Sequence, residues 1–130
     1  MKRSPEDVPL RVLVVDDERQ IGEFISDFLI EKGYEVFYAD NGNDALMFLK
    51  RVRPHIALLD VRMSDMNGLE VLKRIKQIDP QVGVIMVTAL QEEEIGREAL
   101  KLGASDYIIK PIDFEYLDTS MMVKLSTMLD

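Results

Sequence analysis

Five times along the chain a short apolar run, often rich in β-branched residues, gives way to a longer segment with apolar residues at helical spacing. The first run, Leu10 to Val15 (LRVLVV), stops at Asp16, Asp17 and Glu18. Behind it Ile21, Phe24, Ile25, Phe28 and Leu29 predict one apolar helical stripe, with Gly33 as its C-terminal stop. The second run is Glu35 to Ala39 (EVFYA), followed by a turn at Asp40 to Gly42 and helical positions Ala45, Leu46, Leu49 and Val52 before Pro54. Ile56 to Leu59 (IALL) ends on Asp60, and a loop to Gly68 leads into a helix carrying Leu69, Leu72, Ile75 and Ile78, broken at Asp79-Pro80. Gly83 to Val87 (GVIMV) ends at Thr88. The helix after it carries Ile95, Ala99, Leu100 and Leu102 before Gly103, and Glu92, Glu93 and Glu94 read as its solvated first turn, where acidic residues suit the helix dipole. Asp106 to Ile109 (DYII) ends at Lys110-Pro111, and Phe114 to Leu129 reads as the last helix.

Short strands that are apolar almost throughout are buried on both faces, as parallel strands are. Their alternation with helices predicts an α/β fold, a parallel sheet covered on both sides through right-handed crossovers. At 130 residues and 14.9 kDa the chain holds one core. We expect residues 1–9 (MKRSPEDVP) to be a polar leader and residues 10–130 the domain. Neither end reads as a signal peptide, and no apolar run approaches the roughly 20 residues that span a bilayer, which predicts a soluble, cytoplasmic protein with no membrane partner.

In such folds the reactive site lies beyond the carboxyl ends of the strands. Those ends hold Asp16 and Asp17, Asp60, Thr88 and Lys110. Composition narrows the chemistry. A net charge of −8 repels nucleic acid, the absence of Cys removes thiolate and Cys-zinc chemistry, and the single histidine, His55, lies at the wrong end of its strand and reads as structural. Carboxylates remain. Two of them about 4 Å apart repel by about 4 kcal/mol at an effective dielectric of about 20, so the cluster calls for a cation. Oxygen ligands without His or Cys suit Mg(2+). With the charge offset, Asp60 can attack a phosphoryl group, while Lys110 supplies positive charge and Thr88 a hydroxyl donor to the phosphoryl oxygens.

The motifs VLVVDDE, ALLDVRMSDMNGLEVL, VIMVTA and DYIIKP, in that order and each on an apolar strand, are together specific. From Leu10 to about Leu129 the chain resembles the receiver domain of bacterial two-component response regulators. The resemblance implies a doubly wound (βα)5 flavodoxin-like sandwich with a five-stranded parallel sheet of order 2-1-3-4-5. It implies that Asp60 is the phosphoacceptor and a metal neighbour, Asp17 a direct magnesium ligand, Asp16 a partner acting through metal-bound water, and the Arg62 carbonyl a backbone ligand. Thr88 and Lys110 would contact the phosphoryl group. Tyr107, which periodicity alone places in the core, would be the aromatic switch, and Lys110-Pro111 a cis bond. The implied partners are a sensor histidine kinase and an output domain or effector protein, with a homodimer through the fourth helix, fifth strand and fifth helix as a further expectation.

The family often has proline where this chain has Ser64, so a less rigid loop is expected after Asp60. Arg62 and Leu90 stand two residues beyond Asp60 and Thr88, and their bulk is expected to restrict attacking water. In the last helix Leu117, Met121, Leu125 and Met128 form a core stripe, and Tyr116, Met122 and Leu129 add apolar surface. Three other readings compete. A dehalogenase-type phosphatase or phosphotransferase wants a second aspartate where Arg62 stands, and a cap insertion. A receiver-like module that binds partners without phosphate would not need the full constellation. A flavodoxin-like carrier would place a flavin phosphate against the repelling sequence DDERQ.

Overall fold

The computed structural model describes residues 9–128, apart from the side chain of Leu90. Residues 1–8 of the expected leader, Leu129 and the last residue of the expected domain lie outside the described residues. The strands are β1 (Arg11–Val15), β2 (Glu35–Ala39), β3 (Ile56–Asp60), β4 (Gly83–Thr88) and β5 (Asp106–Ile109). The helices are α1 (Arg19–Glu31), α2 (Gly42–Val52), α3 (Gly68–Ile78), α4 (Glu93–Lys101) and α5 (Phe114–Met128), with a 3-10 turn over Leu90–Glu92 before α4. All strand pairs are parallel and the order is β2-β1-β3-β4-β5, as the resemblance implies.

The period of two along each strand divides the core. In β1, Leu13 and Val15 pack with Leu46, Leu49, Val71, Leu72, Ile75 and Ala99 from α2, α3 and α4, while Val12 and Val14 pack with Ile25, Leu29, Leu117, Met121 and Leu125 from α1 and α5. β3 and β4 divide in the same way, which is why their strands are buried throughout. The last helix follows its predicted stripe: Leu117, Met121 and Leu125 are buried, Met128 packs against them, and Tyr116, Met122 and Val123 face outward.

The stripe of α1 is rotated from the expected one. Its buried residues are Gly22, Ile25, Ser26 and Leu29, whereas Phe24 is 66% exposed and rests its ring 5.4 Å from that of Phe114. The Ser26 hydroxyl can be buried because it donates to the Gly22 carbonyl at 2.7 Å. Leu100 and Ile78, expected in core stripes, are also exposed, near the ends of α4 and α3. Among the described residues no helix is long and apolar enough to cross a membrane.

Register brings the functional ends together. Val15 lies opposite Leu59, Asp60 opposite Val87, and Thr88 opposite Ile109. One step beyond β1 and β5 therefore puts Asp16 and Lys110 on the rim that Asp60 and Thr88 already occupy.

Candidate functional site

The end of β3 delivers Asp60 with 6% of its surface exposed, and the end of β1 delivers Asp16 with 2%. Asp17, one residue on, is exposed. Lys110 reaches across from the end of β5, its ammonium 3.0 Å from Asp60 Oδ2, 3.7 Å from Asp16 Oδ2 and 3.9 Å from Glu18 Oε1. One cation thus serves three carboxylates. Burial pushes the Lys110 ammonium down, but the hydrogen bond to Asp60 and the charges of Asp60, Asp16 and Glu18 prevail and hold it above its ordinary value. Asp16 is raised to about 6, chiefly by burial and further by the Asp60 charge, against the Glu18 N–H that donates to its Oδ1 at 2.9 Å.

The hydroxyl of Thr88 is buried and has no hydrogen-bond partner among the described residues. A buried polar group left unpaired is unfavourable by roughly 1–3 kcal/mol, so its placement calls for an explanation. The ligand oxygens of Asp16, Asp17 and Glu18 lie within 4.8 Å of one another. Glu18 belongs to the same DDE run, a third carboxylate beside the expected Asp16 and Asp17. The other carboxylate of the rim, Asp60, joins this group through Lys110. The donor set contains no nitrogen or sulfur ligand, which suits a hard divalent cation.

The loop after Asp60, which carries Ser64, is tied at several points by hydrogen bonds. The Arg62 N–H donates to Asp60 Oδ1 at 3.2 Å, and the Gly68 N–H donates to the Val61 carbonyl at 2.7 Å. A Cβ at Gly68 would run into the backbone of Asp60 and Val61, so only glycine lets α3 begin this close to the end of β3. Midway, Asp65 accepts from the N–H groups of Gly42 and Asn43 at 2.8 and 2.9 Å and so caps α2 from another loop. The Gly42 N–H is the main reason the Asp65 carboxyl sits below its ordinary value.

Glu92 corrects the expectation of a solvated turn. It is 7% exposed, and its Oε1 accepts from Arg62 Nε at 2.8 Å. The Arg62 side chain accordingly runs toward the 3-10 turn. Tyr107 is half-buried against the core and lies over Gly96 of α4, where a Cβ would stand 2.7 Å from its Cδ2. His55 sits at the amino end of β3, its Nδ1 accepting from the Arg11 N–H at 3.0 Å, away from the rim. The Lys110-Pro111 bond is cis.

Residues 12–121 match the family model of the response regulator receiver domain. The chain belongs to that family. As a receiver domain it is a signalling module of two-component response regulators. It is 38% identical over 102 residues to the chemotaxis protein CheY of Thermotoga maritima, an alignment covering 78% of this chain and 85% of that one. It is also 38% identical over 108 residues to the regulatory protein AtoC of Escherichia coli, covering 83% of this receiver but 23% of AtoC. The receiver therefore spans about a quarter of AtoC and most of CheY. A solved receiver domain from Methanospirillum hungatei superposes with a TM-score of 0.87 at 31% identity, over 92% of this chain and 96% of that one.

Proposed function

We propose that this receiver takes a phosphoryl group from a histidine kinase onto Asp60 and passes the change to an output domain or effector protein. The observation that carries the reading is the Thr88 hydroxyl, buried and without a partner among the described residues, on the rim that holds Asp60 and Lys110. A tetrahedral anion on Asp60 would give that donor its acceptor.

In the step itself, an Asp60 carboxylate oxygen attacks phosphorus, the bond from phosphorus to the donor's imidazole nitrogen breaks, and the electron pair leaves with the nitrogen. Asp17, Asp60 and the Arg62 carbonyl would hold magnesium, with Asp16 acting through bound water, and the ion would offset the carboxylate charge and polarise the phosphoryl oxygens. Lys110, already 3.0 Å from Asp60, moves its charge onto the new phosphoryl oxygens as Thr88 donates to another. Phosphorylation adds about 1.5 to 2 negative charges at this point. Drawing Thr88 and Lys110 toward them shifts the ends of β4 and β5, and with β5 Tyr107, which lies against Gly96 of α4.

Incubation with magnesium and acetyl phosphate, followed by intact mass, tests this. The parent chain is expected to gain one phosphoryl group and Asp60→Asn none. An unlabelled parent, or equal labelling of the variant, refutes the reading.

A further inference from the structure

Glu92 is a buried charge to which the phosphoryl chemistry assigns no task. It ends the 3-10 turn four residues beyond Thr88, with 7% of its surface exposed, while its neighbours Gln91 and Glu94 are exposed. Among the described residues its side chain has one partner, Arg62, at 2.8 Å from Nε to Oε1. The two sides of this pair are unequal. The Arg62 side chain is 76% exposed and would be well hydrated without Glu92, whereas a buried carboxylate without a cation is strongly unfavourable. The pairing therefore fixes the arginine rather than sheltering it.

A guanidinium carries five N–H donors in a planar fork. Glu92 engages the one at Nε, and among the described residues the Nη groups make no hydrogen bond. Arg62 and Glu92 share a cavity of about 420 Å³ with Asp17, Ser64 and Asn67. An anionic phosphodonor entering beside Asp17 meets the acidic group of Asp16, Asp17 and Glu18. Lys110 lies outside this cavity, against Asp60, Asp16 and Glu18, so among the described residues that line the cavity the cation with donors to spare is Arg62.

We propose that Glu92 is a positioning residue for phosphodonor binding: it anchors Arg62 by Nε so that the Nη donors stand at the open side of the cavity and receive the oxygens of an anionic phosphoryl donor. The assignment rests on Asp60 being the phosphoacceptor. It also makes a counter-electrostatic prediction. Neutralising Glu92 removes a negative charge near the site, and by field alone an anion should then bind better. A loss of anchoring has the opposite effect.

The test measures the rate of labelling against acetyl phosphate concentration, with magnesium saturating, to separate the half-saturating concentration from the plateau rate. Arg62→Ala is expected to raise the half-saturating concentration about fivefold, with the plateau within about twofold of the parent, as suits a partly exposed charge-assisted contact. Glu92→Gln should raise it in the same direction, the double variant should be no worse than Arg62→Ala, and Glu94→Gln, which removes an equal charge from an exposed site, should not raise it. An unchanged or lower half-saturating concentration in Glu92→Gln overturns the proposal. Should Glu92→Gln fail to fold, as a melting curve reports, Arg62→Ala decides alone, and an unchanged value there overturns it. A parent that takes no phosphoryl group refutes the phosphoacceptor reading as well; a labelled parent with unresponsive variants refutes only the role of Glu92.

Discussion

At the amino end of the sheet, Arg11 donates from Nε to the carbonyls of Val52 and Arg53 at 2.8 and 3.2 Å, its backbone N–H donates to His55, and Lys76 donates to the Val82 carbonyl at 2.7 Å. At the carboxyl end, three carboxylates crowd one ammonium, Asp16 is raised to about 6, and the Thr88 hydroxyl has no partner among the described residues. Both ends are polar caps on the same strands. The first is arranged so that donors find acceptors and the fold gains. The second carries unfavourable placements, a raised carboxyl and a hydroxyl without a partner among the described residues; under the proposed function a metal ion and a phosphoryl group would relieve them.

Substitutions that separate stability from chemistry sharpen this contrast. Thr88→Val should have the largest effect on chemistry, slowing labelling by acetyl phosphate roughly tenfold or more because a phosphoryl donor is lost. Its fold should be unharmed or stabilised by up to about 1 kcal/mol, since an unpaired buried hydroxyl is replaced by a group of the same shape. A clear loss of stability in chemical denaturation would mean that the hydroxyl is paired in solution.

Asp16→Asn probes the same end through pH. The folded carboxyl is raised from 3.8 to about 6, so the folded state holds its proton longer than the unfolded state. Ionisation therefore lowers stability progressively between those values and fully above them. Without metal, the variant should melt a few degrees above the parent at pH 8 and level with it at pH 3. An equal gain at both values would exclude ionisation as the cause. Added magnesium should stabilise the parent more at pH 8 than at pH 5.

The smallest effect is expected at the other end. Arg11→Met should lower stability by about 1 kcal/mol through its lost hydrogen bonds and leave labelling unchanged. If labelling fell while stability held, the amino end would not be mere scaffold.

Much of this contrast was legible beforehand. Strand ends at Asp16, Asp60, Thr88 and Lys110 can be found from apolar runs that stop on polar residues, and parallel pairing must then gather them on one rim. The motif order led to the family, and the sheet order and cis bond implied by the resemblance are present. Helix faces are less legible than strand ends. Phe24 fits an apolar stripe but is exposed, because close packing of Gly22 and burial of the Ser26 hydroxyl turn the face of α1. Small and polar residues lead a hydrophobic pattern astray when they are the ones that fit. Beside Ser64, Asp65 caps α2, a contact that joins residues more than twenty positions apart and that no local pattern announces.

The sequence by itself determined the alternation of strand and helix and the kinds of side chain that meet at the rim. These follow from local periodicity and from the rule that a parallel sheet aligns its strand ends. Only the tertiary structure decided that Thr88 is left without a partner among the described residues, that Asp65 ties the loop after Asp60 to α2, and that Glu92 leaves its acidic run to bury itself against Arg62. Each depends on a partner brought from elsewhere in the chain, thirty residues away for Glu92. Local pattern tells which face of its own element a residue occupies; whether a charge on that face is solvated or buried is set by what the fold places opposite it.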